Sequence, residues 1–155
     1  ADCVPLYFYD KTHRAIGLSH SGWRGTVQRM GQKTIDAMAK AYGTRPEDLK
    51  VIIGPSICQS CYEVSEEVAD AFVAEFGSNR KDQLLMDKGN GKYQLDLWRA
   101  NELVFADAGL EPGQIETAGL CTCCHPDLLF SHRASHGKRG NMAAVLTLGG
   151  KNHES

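Results

Sequence analysis

Apolar and polar residues are arranged along the chain in a way that predicts strands and helices in rough alternation. Val4 to Tyr9 and Ala15 to His20 are rich in β-forming residues. The polar stretch Asp10, Lys11, Thr12 and His13 between them reads as a turn, so the chain opens on a hairpin. Val27, Met30, Ile35, Met38 and Tyr42 form one apolar stripe and predict a helix from about Thr26 to Tyr42, closed by Gly43. Lys50 to Gly54 is a short apolar run ending at Pro55 and reads as a buried strand, and residues 55–64 read as a loop. Ser65 is placed to cap a second helix on which Val68, Phe72 and Phe76 share a face, with Gly77 past its end. Ser78 to Lys92 is polar, with a turn at Gly89-Asn90-Gly91. Asp96 caps a third helix running to about Ala108, stopped by Gly109, and Gln114 to Gly119 reads as a strand. A long loop spans Leu120 to Asn141, and Met142 to Leu148 reads as a last apolar strand. Alternation of this kind behind an antiparallel hairpin predicts a mixed-sheet α/β sandwich, not a doubly wound parallel fold.

At 155 residues the chain is long enough for a real core and reads as one domain over residues 1–150, with a polar tail at 151–155. It opens at Ala1-Asp2, without a methionine and almost directly on a strand, from which a missing upstream segment is expected. The net charge of −2 gives no basic field for nucleic acid or an anionic membrane. No apolar run approaches the roughly 18 residues of a spanning helix, and no signal peptide is visible. Six cysteines invite a disulfide reading. Their clustering, as Cys58-x-x-Cys61 and Cys121-x-Cys123-Cys124, reads instead as reduced thiols or ligands in a cytoplasmic protein.

With the turn centred on Lys11 and Thr12, Cys3 faces His20 across the hairpin. Directly opposed Cβ atoms lie roughly 4.5–5.5 Å apart. That spacing suits zinc held by a thiolate and an imidazole, and equally a Cys–His catalytic couple. A slip of one residue would put the two side chains on opposite faces. The turn Ser21-Gly22-Trp23-Arg24-Gly25 follows. Its glycines let the backbone approach a ligand, the next helix aims its free N–H groups at the turn from Gly25-Thr26, and Arg24 suits bidentate contact with phosphate or carboxylate. The bland alternative is a tight connection with Trp23 in the core. A rival metal centre is a structural Cys₄ zinc site drawn from Cys58, Cys61, Cys121, Cys123 and Cys124 beside His125, although Cys121-x-Cys123-Cys124 departs from a standard knuckle. The alternative there is that these are small buried residues beside loops. His13, His136 and His153 have no partner at diagnostic spacing and read as solvent-exposed. Glu66-Glu67 and Glu47-Asp48 sit near helix N-termini, where they favour the dipole, and no carboxylate pair suits acid–base work. No Gly-x-Gly-x-x-Gly or Walker-type loop is present.

Five segments in order resemble one family: Ala1-Asp2-Cys3-Val4-Pro5; His20-Ser21-Gly22-Trp23-Arg24-Gly25; Ile53-Gly54-Pro55-Ser56-Ile57 with Cys61-Tyr62-Glu63-Val64; Leu95-Asp96-Leu97 with Ala100-Asn101; and Cys121-Thr122 with Phe130-Ser131-His132-Arg133. Together they resemble the YfiH family, also called the polyphenol oxidase or laccase-domain family. The resemblance runs from residue 1 to about 148. Where the family pattern has Gly-Arg-Met before its last strand, this chain has Gly140-Asn141-Met142, with Arg139 one residue before.

The resemblance implies a zinc-dependent purine nucleoside phosphorylase with adenosine deaminase activity. Its candidate substrates are phosphate with adenosine, inosine, guanosine or methylthioadenosine. It implies Cys3 and His20 as two zinc ligands and a third, a histidine, upstream of Ala1. With only two ligands, zinc is expected to bind weakly and the chain alone to be poorly active. Arg24 is the candidate for phosphate. The family name keeps copper-dependent phenol oxidation as an alternative, and six histidines with no His-x-His pair argue against it. A fold relationship to bacterial toxin deamidases keeps a Cys–His hydrolase in view, and a zinc-stabilised interaction domain is the non-catalytic alternative. Purine nucleosides and phosphate are the expected partners, with no nucleic acid and no membrane.

Overall fold

The hairpin forms, but in a different register. In the computed structural model, which describes residues 1–150, β1 (Val4–Asp10) and β2 (Ala15–Ser21) are antiparallel, with Val4 opposite Ser21 and Pro5 opposite His20. Cys3 therefore does not face His20, and the pairing is displaced by two residues from the expected one. The cause is Asp10, which is the buried last residue of β1 and not part of the turn. Its carboxylate accepts hydrogen bonds from the His13 backbone N–H at 2.9 Å, from His13 Nδ1 at 2.7 Å and from Thr44 Oγ1 at 2.6 Å. These close a loop over residues 11–14, with Arg14 in the left-handed region at φ 50°. Strand side chains alternate with a period of two, so a two-residue displacement keeps each side chain on its expected face.

That alternation divides the sheet. Val4, Leu6 and Phe8 point into the core, as do Leu49, Val51 and Ile53 of β3 (Leu49–Ile53). The opposite face carries Tyr9, Leu18 and Ile52, all substantially exposed. The strand order is β2-β1-β3-β7, with β3 antiparallel to β1 and parallel to β7 (Ile115–Thr117). A second, antiparallel sheet has the order β4-β6-β5, from Glu63–Ser65, Lys92–Leu95 and Leu85–Gly89. The architecture is mixed α/β with sheets of mixed orientation, as expected. Sequence reading missed the second sheet because β5 and β6 are polar and largely exposed.

The helix expected from Thr26 to Tyr42 is two helices. α1 (Trp23–Val27) and α2 (Met30–Tyr42) are broken at Arg29, whose φ is 56°. The Arg29 guanidinium is held by Glu75 and by Asp107 at 3.0 Å. α2 buries Ile35 and Met38 and ends at Gly43, in the left-handed conformation. Gly31 lets α2 approach α5 (Leu97–Asp107): a Cβ there would stand 2.8 Å from Phe105 Cε1. Phe105 in turn meets Phe8 edge-on, with ring centroids 5.6 Å apart. Ser65 precedes α3 (Glu66–Phe76) as expected, but its side chain makes no capping bond. α4 (Lys81–Leu84) leads into β5. Asp96 does cap α5, accepting from the Arg99 N–H at 2.9 Å.

The last expected strand does not form. Residues 142–148 run beside β2, with Ala144 and Leu146 half-buried and Val145 74% exposed, and form no ladder with it. Alternation favours extended chain, but a strand also needs paired backbone groups. Among the described residues no helix is long and apolar enough to cross a membrane. The polar tail 151–155, with His153, lies outside the described residues.

Candidate functional site

Cys3 and His20 share the non-core face of the hairpin as diagonal neighbours, with Gly22 between them. A Cβ built on Gly22 would lie 3.0 Å from Cys3 Sγ and 3.9 Å from His20 Cε1. The absence of a side chain at Gly22 is what allows thiol and imidazole to converge. Gly25 is similarly close-packed: a Cβ there would meet Ser21 Oγ at 3.3 Å and the His20 carbonyl at 3.5 Å.

A buried polar network fixes the turn from behind. Ser21 Oγ and Thr26 Oγ1 are 3.0 Å apart, and Thr26 Oγ1 donates to the Gly22 carbonyl at 2.9 Å. Asn101 on α5 donates to the Leu97 carbonyl at 2.8 Å and to Thr26 Oγ1 at 3.3 Å. The helix after the turn starts at Trp23, three residues earlier than expected, and spans five residues. The Thr26 N–H is consequently engaged by the Gly22 carbonyl at 2.8 Å, and the free first-turn N–H groups expected at Gly25-Thr26 are not all available. The cationic group at this end is Arg24, exposed and stacked on the Trp23 ring at 4.2 Å; Trp23 is only partly buried.

Cys3 is positioned by Asp2, whose role sequence reading missed. Asp2 is buried and holds φ at 72°. Its carbonyl accepts from the Ile57 N–H at 3.0 Å, and its carboxylate accepts from Thr122 Oγ1 at 2.7 Å and the Arg133 N–H at 2.9 Å. Burial works against this carboxylate, but the hydrogen bonds outweigh it and hold it below the ordinary range. The signal was faint: a carboxylate beside a strand reads as exposed unless its distant partners are known. Burial pushes the Cys3 thiol up.

Two adjoining cavities, of about 470 Å³ and 430 Å³, both reach Cys3 and His20. The first has apolar walls, including Tyr7, Leu18, Leu129 and Met142. The second holds Arg24, Gln28, Tyr62 and Leu97. These volumes fall in the usual range for small-molecule sites. Burial also raises the Tyr62 phenol, and the Arg133 guanidinium lies 5.4 Å from its ring.

The other cysteines separate into a group of four and a remainder. Cys58, Cys61, Cys121 and Cys124 bring their sulfurs within 4.8 Å of one another, an arrangement able to hold a metal ion. Cys123 is not in the group, so the spacing that departed from a knuckle resolves into Cys121-x-x-Cys124. Burial opposes ionisation of Cys58, but hydrogen bonds from neighbours, Ser60 first among them, bring its thiol to about 7. Burial and the surrounding sulfurs push Cys61 up. His13, although exposed, is not free, since Asp10 holds its Nδ1. His125 Nδ1 lies 3.0 Å from the Cys121 carbonyl, and His132 accepts from Arg139 at 3.3 Å. Among the described residues, no third His, Cys, Asp or Glu donor joins Cys3 and His20, and no cluster contains two histidines.

A family model described as multi-copper polyphenol oxidoreductase laccase matches residues 1–149. The chain is 40% identical over 146 residues to purine nucleoside phosphorylase YlmD of Bacillus subtilis (strain 168), covering 94% of this chain and 52% of that protein. It is 37% identical to adenosine deaminase RL5, from an unknown prokaryotic organism, covering 86% of this chain and 50% of that protein. The crystal structure of Bacillus licheniformis hypothetical protein YfiH superposes with a TM-score of 0.83 at 37% identity, covering 89% of this chain and 51% of that one. The chain thus spans about half the length of the curated relatives it matches.

Proposed function

We propose that this chain, which belongs to the family described as multi-copper polyphenol oxidoreductase laccase, carries two metal donors and the anion-binding arginine of a purine nucleoside phosphorylase. The observation that carries the reading is the convergence of Cys3 and His20 on the bare face of Gly22, in a cavity that also holds Arg24. The 40% identity to a protein named purine nucleoside phosphorylase supports the substrate class.

The donor set favours zinc over copper. One thiol and one imidazole suit zinc, whereas multicopper chemistry needs several histidines together, and no cluster among the described residues has two. Cys3 and His20 would hold the zinc, with a histidine from outside these residues as the third donor. When bound, zinc supplies Lewis acidity.

In phosphorolysis a phosphate oxygen bonds to the anomeric carbon of the nucleoside as the glycosidic bond breaks and the base departs. Arg24 holds the phosphate, its planar guanidinium matching two oxygens at once. Stacking on Trp23 keeps that guanidinium oriented. The apolar wall of Leu18, Leu129 and Met142 takes the nucleoside. Deamination of adenosine in the same cavity is the second reading, supported by the identity to adenosine deaminase RL5.

Chromatographic product analysis of the protein carrying this chain tests the proposal. Inosine should release its base only when phosphate is present, and Cys3→Ala and His20→Ala should abolish the release. Arg24→Ala should raise the KM for phosphate more than it lowers kcat. Base release that survives both donor substitutions would overturn the assignment. Inosine formed from adenosine without phosphate would favour the second reading.

A further inference from the structure

The four-cysteine group lies outside the machinery assigned to the Cys3–His20 cavity. We propose that Cys58, Cys61, Cys121 and Cys124 bind one zinc ion as a closed structural site, which ties the segment before β4 to the segment after β7. The inference does not depend on the phosphorylase reading.

The sulfur separations fit a tetrathiolate. Four sulfurs bound at 2.3 Å to one tetrahedral ion stand about 3.8 Å apart. Here Cys58 and Cys124 sulfurs are 3.9 Å apart, those of Cys61 and Cys124 are 3.5 Å apart, and all four fall within 4.8 Å. The residues form two Cys-x-x-Cys pairs on separate segments, each pair supplying adjacent ligands from one tight turn. The first turn, Gln59–Cys61, is a single 3₁₀ turn closed by the Cys61 N–H on the Cys58 carbonyl at 3.2 Å.

Two further features support a metal over disulfides. Cys124 approaches both Cys58 and Cys61, so the sulfurs do not sort into two bonding pairs. The separations are also far above the roughly 2.05 Å of a disulfide. A backbone donor already serves one sulfur: the Cys58 N–H donates to Cys121 Sγ at 3.3 Å, as outer-shell groups do around a bound thiolate.

The position explains what such a site would do. The two segments already run side by side, with Thr122 N–H on the Ser56 carbonyl at 3.2 Å and Ser56 N–H on the Leu120 carbonyl at 3.2 Å. Ile57, just before the first pair, holds the Asp2 carbonyl, and Thr122, within the second, holds the Asp2 carboxylate. Tyr62, next to Cys61, lines the cavity of Cys3 and His20. A zinc ion here would fasten the parts that aim Cys3 without touching the reacting groups.

The test is cobalt(II) substitution of the chain purified under reducing conditions, read by absorption spectroscopy. The expected result is one tetrathiolate-bound cobalt per chain, counted from the intense visible bands and sulfur charge-transfer absorption of a tetrahedral tetrathiolate. These features should disappear or shift to those of a three-sulfur site in Cys58→Ser and in Cys124→Ser. They should persist in Cys123→Ser, in Cys3→Ala and in His20→Ala. Titration of the wild-type chain with a mercurial should release one zinc in step with the consumption of four thiols, a readout that requires no variant to fold. Absence of the tetrathiolate bands in the wild-type chain overturns the proposal, as does their survival in Cys58→Ser or Cys124→Ser. Recovery of the reduced, freshly purified chain with iron in place of zinc, or with disulfides among these four residues, also overturns it.

Discussion

Replacing Gly22 by alanine strains the proposed site at its most crowded point while leaving the fold almost untouched. The Gly22 backbone is extended, with φ −76° and ψ −171°, a conformation alanine adopts freely. Loss of glycine's freedom in the unfolded chain stabilises by about 0.4–1 kcal/mol. Glycine is the better residue at a helix N-cap by a comparable few tenths or more, so the two effects largely offset. The variant should stay within about 1 kcal/mol of the parent, or about 2–4 °C in Tm for a domain of this size. The site, in contrast, receives a methyl group 3.0 Å from Cys3 Sγ and 3.9 Å from His20 Cε1. Unstrained heavy-atom contacts fall near 3.5–4.0 Å, so the thiol must move by about 0.5–1 Å. Misplacement on that scale costs on the order of 100-fold in rate. Thermal melting and kcat/KM for phosphorolysis should be measured together, with Gly113→Ala as the control, since nothing lies within 4 Å of a Cβ there. Parental activity in Gly22→Ala would show that the position of the Cys3 thiol is immaterial to the reaction. A melting point lowered far beyond the stated range would make Gly22 a residue of the fold and not of the site.

Two further outcomes are expected. Asn101→Ala removes a buried amide that serves the Leu97 carbonyl and Thr26 Oγ1; its urea midpoint should correspond to a loss of about 1–3 kcal/mol, and a parental midpoint would remove the network from the account of the turn. The Asp107 carboxyl is lowered to about 2 by hydrogen bonds from Arg80, with Arg29 adding to them. A depressed carboxylate stabilises above its unfolded value and loses that stabilisation as the pH falls through its folded value. Asp107→Asn should therefore flatten the decline in stability between about pH 4 and pH 2, by about 1 kcal/mol given the partial exposure of the pair. An unchanged acid limb in chemical denaturation would contradict the assignment.

How much of this was legible in the sequence depended on whether the deciding interaction was local. α5 was readable at both ends, because Asp96 caps it through the Arg99 N–H three residues away and Gly109, at φ 96°, stops it. The break at Arg29 was not, because the apolar stripe continues across it and the guanidinium is held by Glu75 and Asp107, far away in sequence. The hairpin register failed for a similar reason. Asp10 looks like a turn residue until Thr44 is seen to hold its carboxylate. The face survived the error because the displacement was even, so Cys3 and His20 still met, across Gly22 and not opposite one another. Residues 142–148 have a strand's alternation, but no sequence rule supplies the ladder they lack.

The two sets of thiols divide along a chemical line. Cys3 stands at the open mouth of a cavity with one imidazole beside it, on rigid strand ends and a turn fixed by buried hydrogen bonds. A metal held by so few donors keeps positions free for substrate, which is the condition for reactivity. Cys58, Cys61, Cys121 and Cys124 bring four sulfurs together by themselves, on loops joined to each other by hydrogen bonds and one isolated bridge between Ser56 and Cys121, and anchored in the core by Ile57 and Cys121. A closed sulfur shell offers a substrate nothing, but it can fasten two loops to each other. On the two proposals together, total bound metal is a poor measure of a reactive centre at Cys3 and His20. Metal that remains after both are substituted is expected at the four-cysteine site, and only the difference from the parent is expected to report on the cavity.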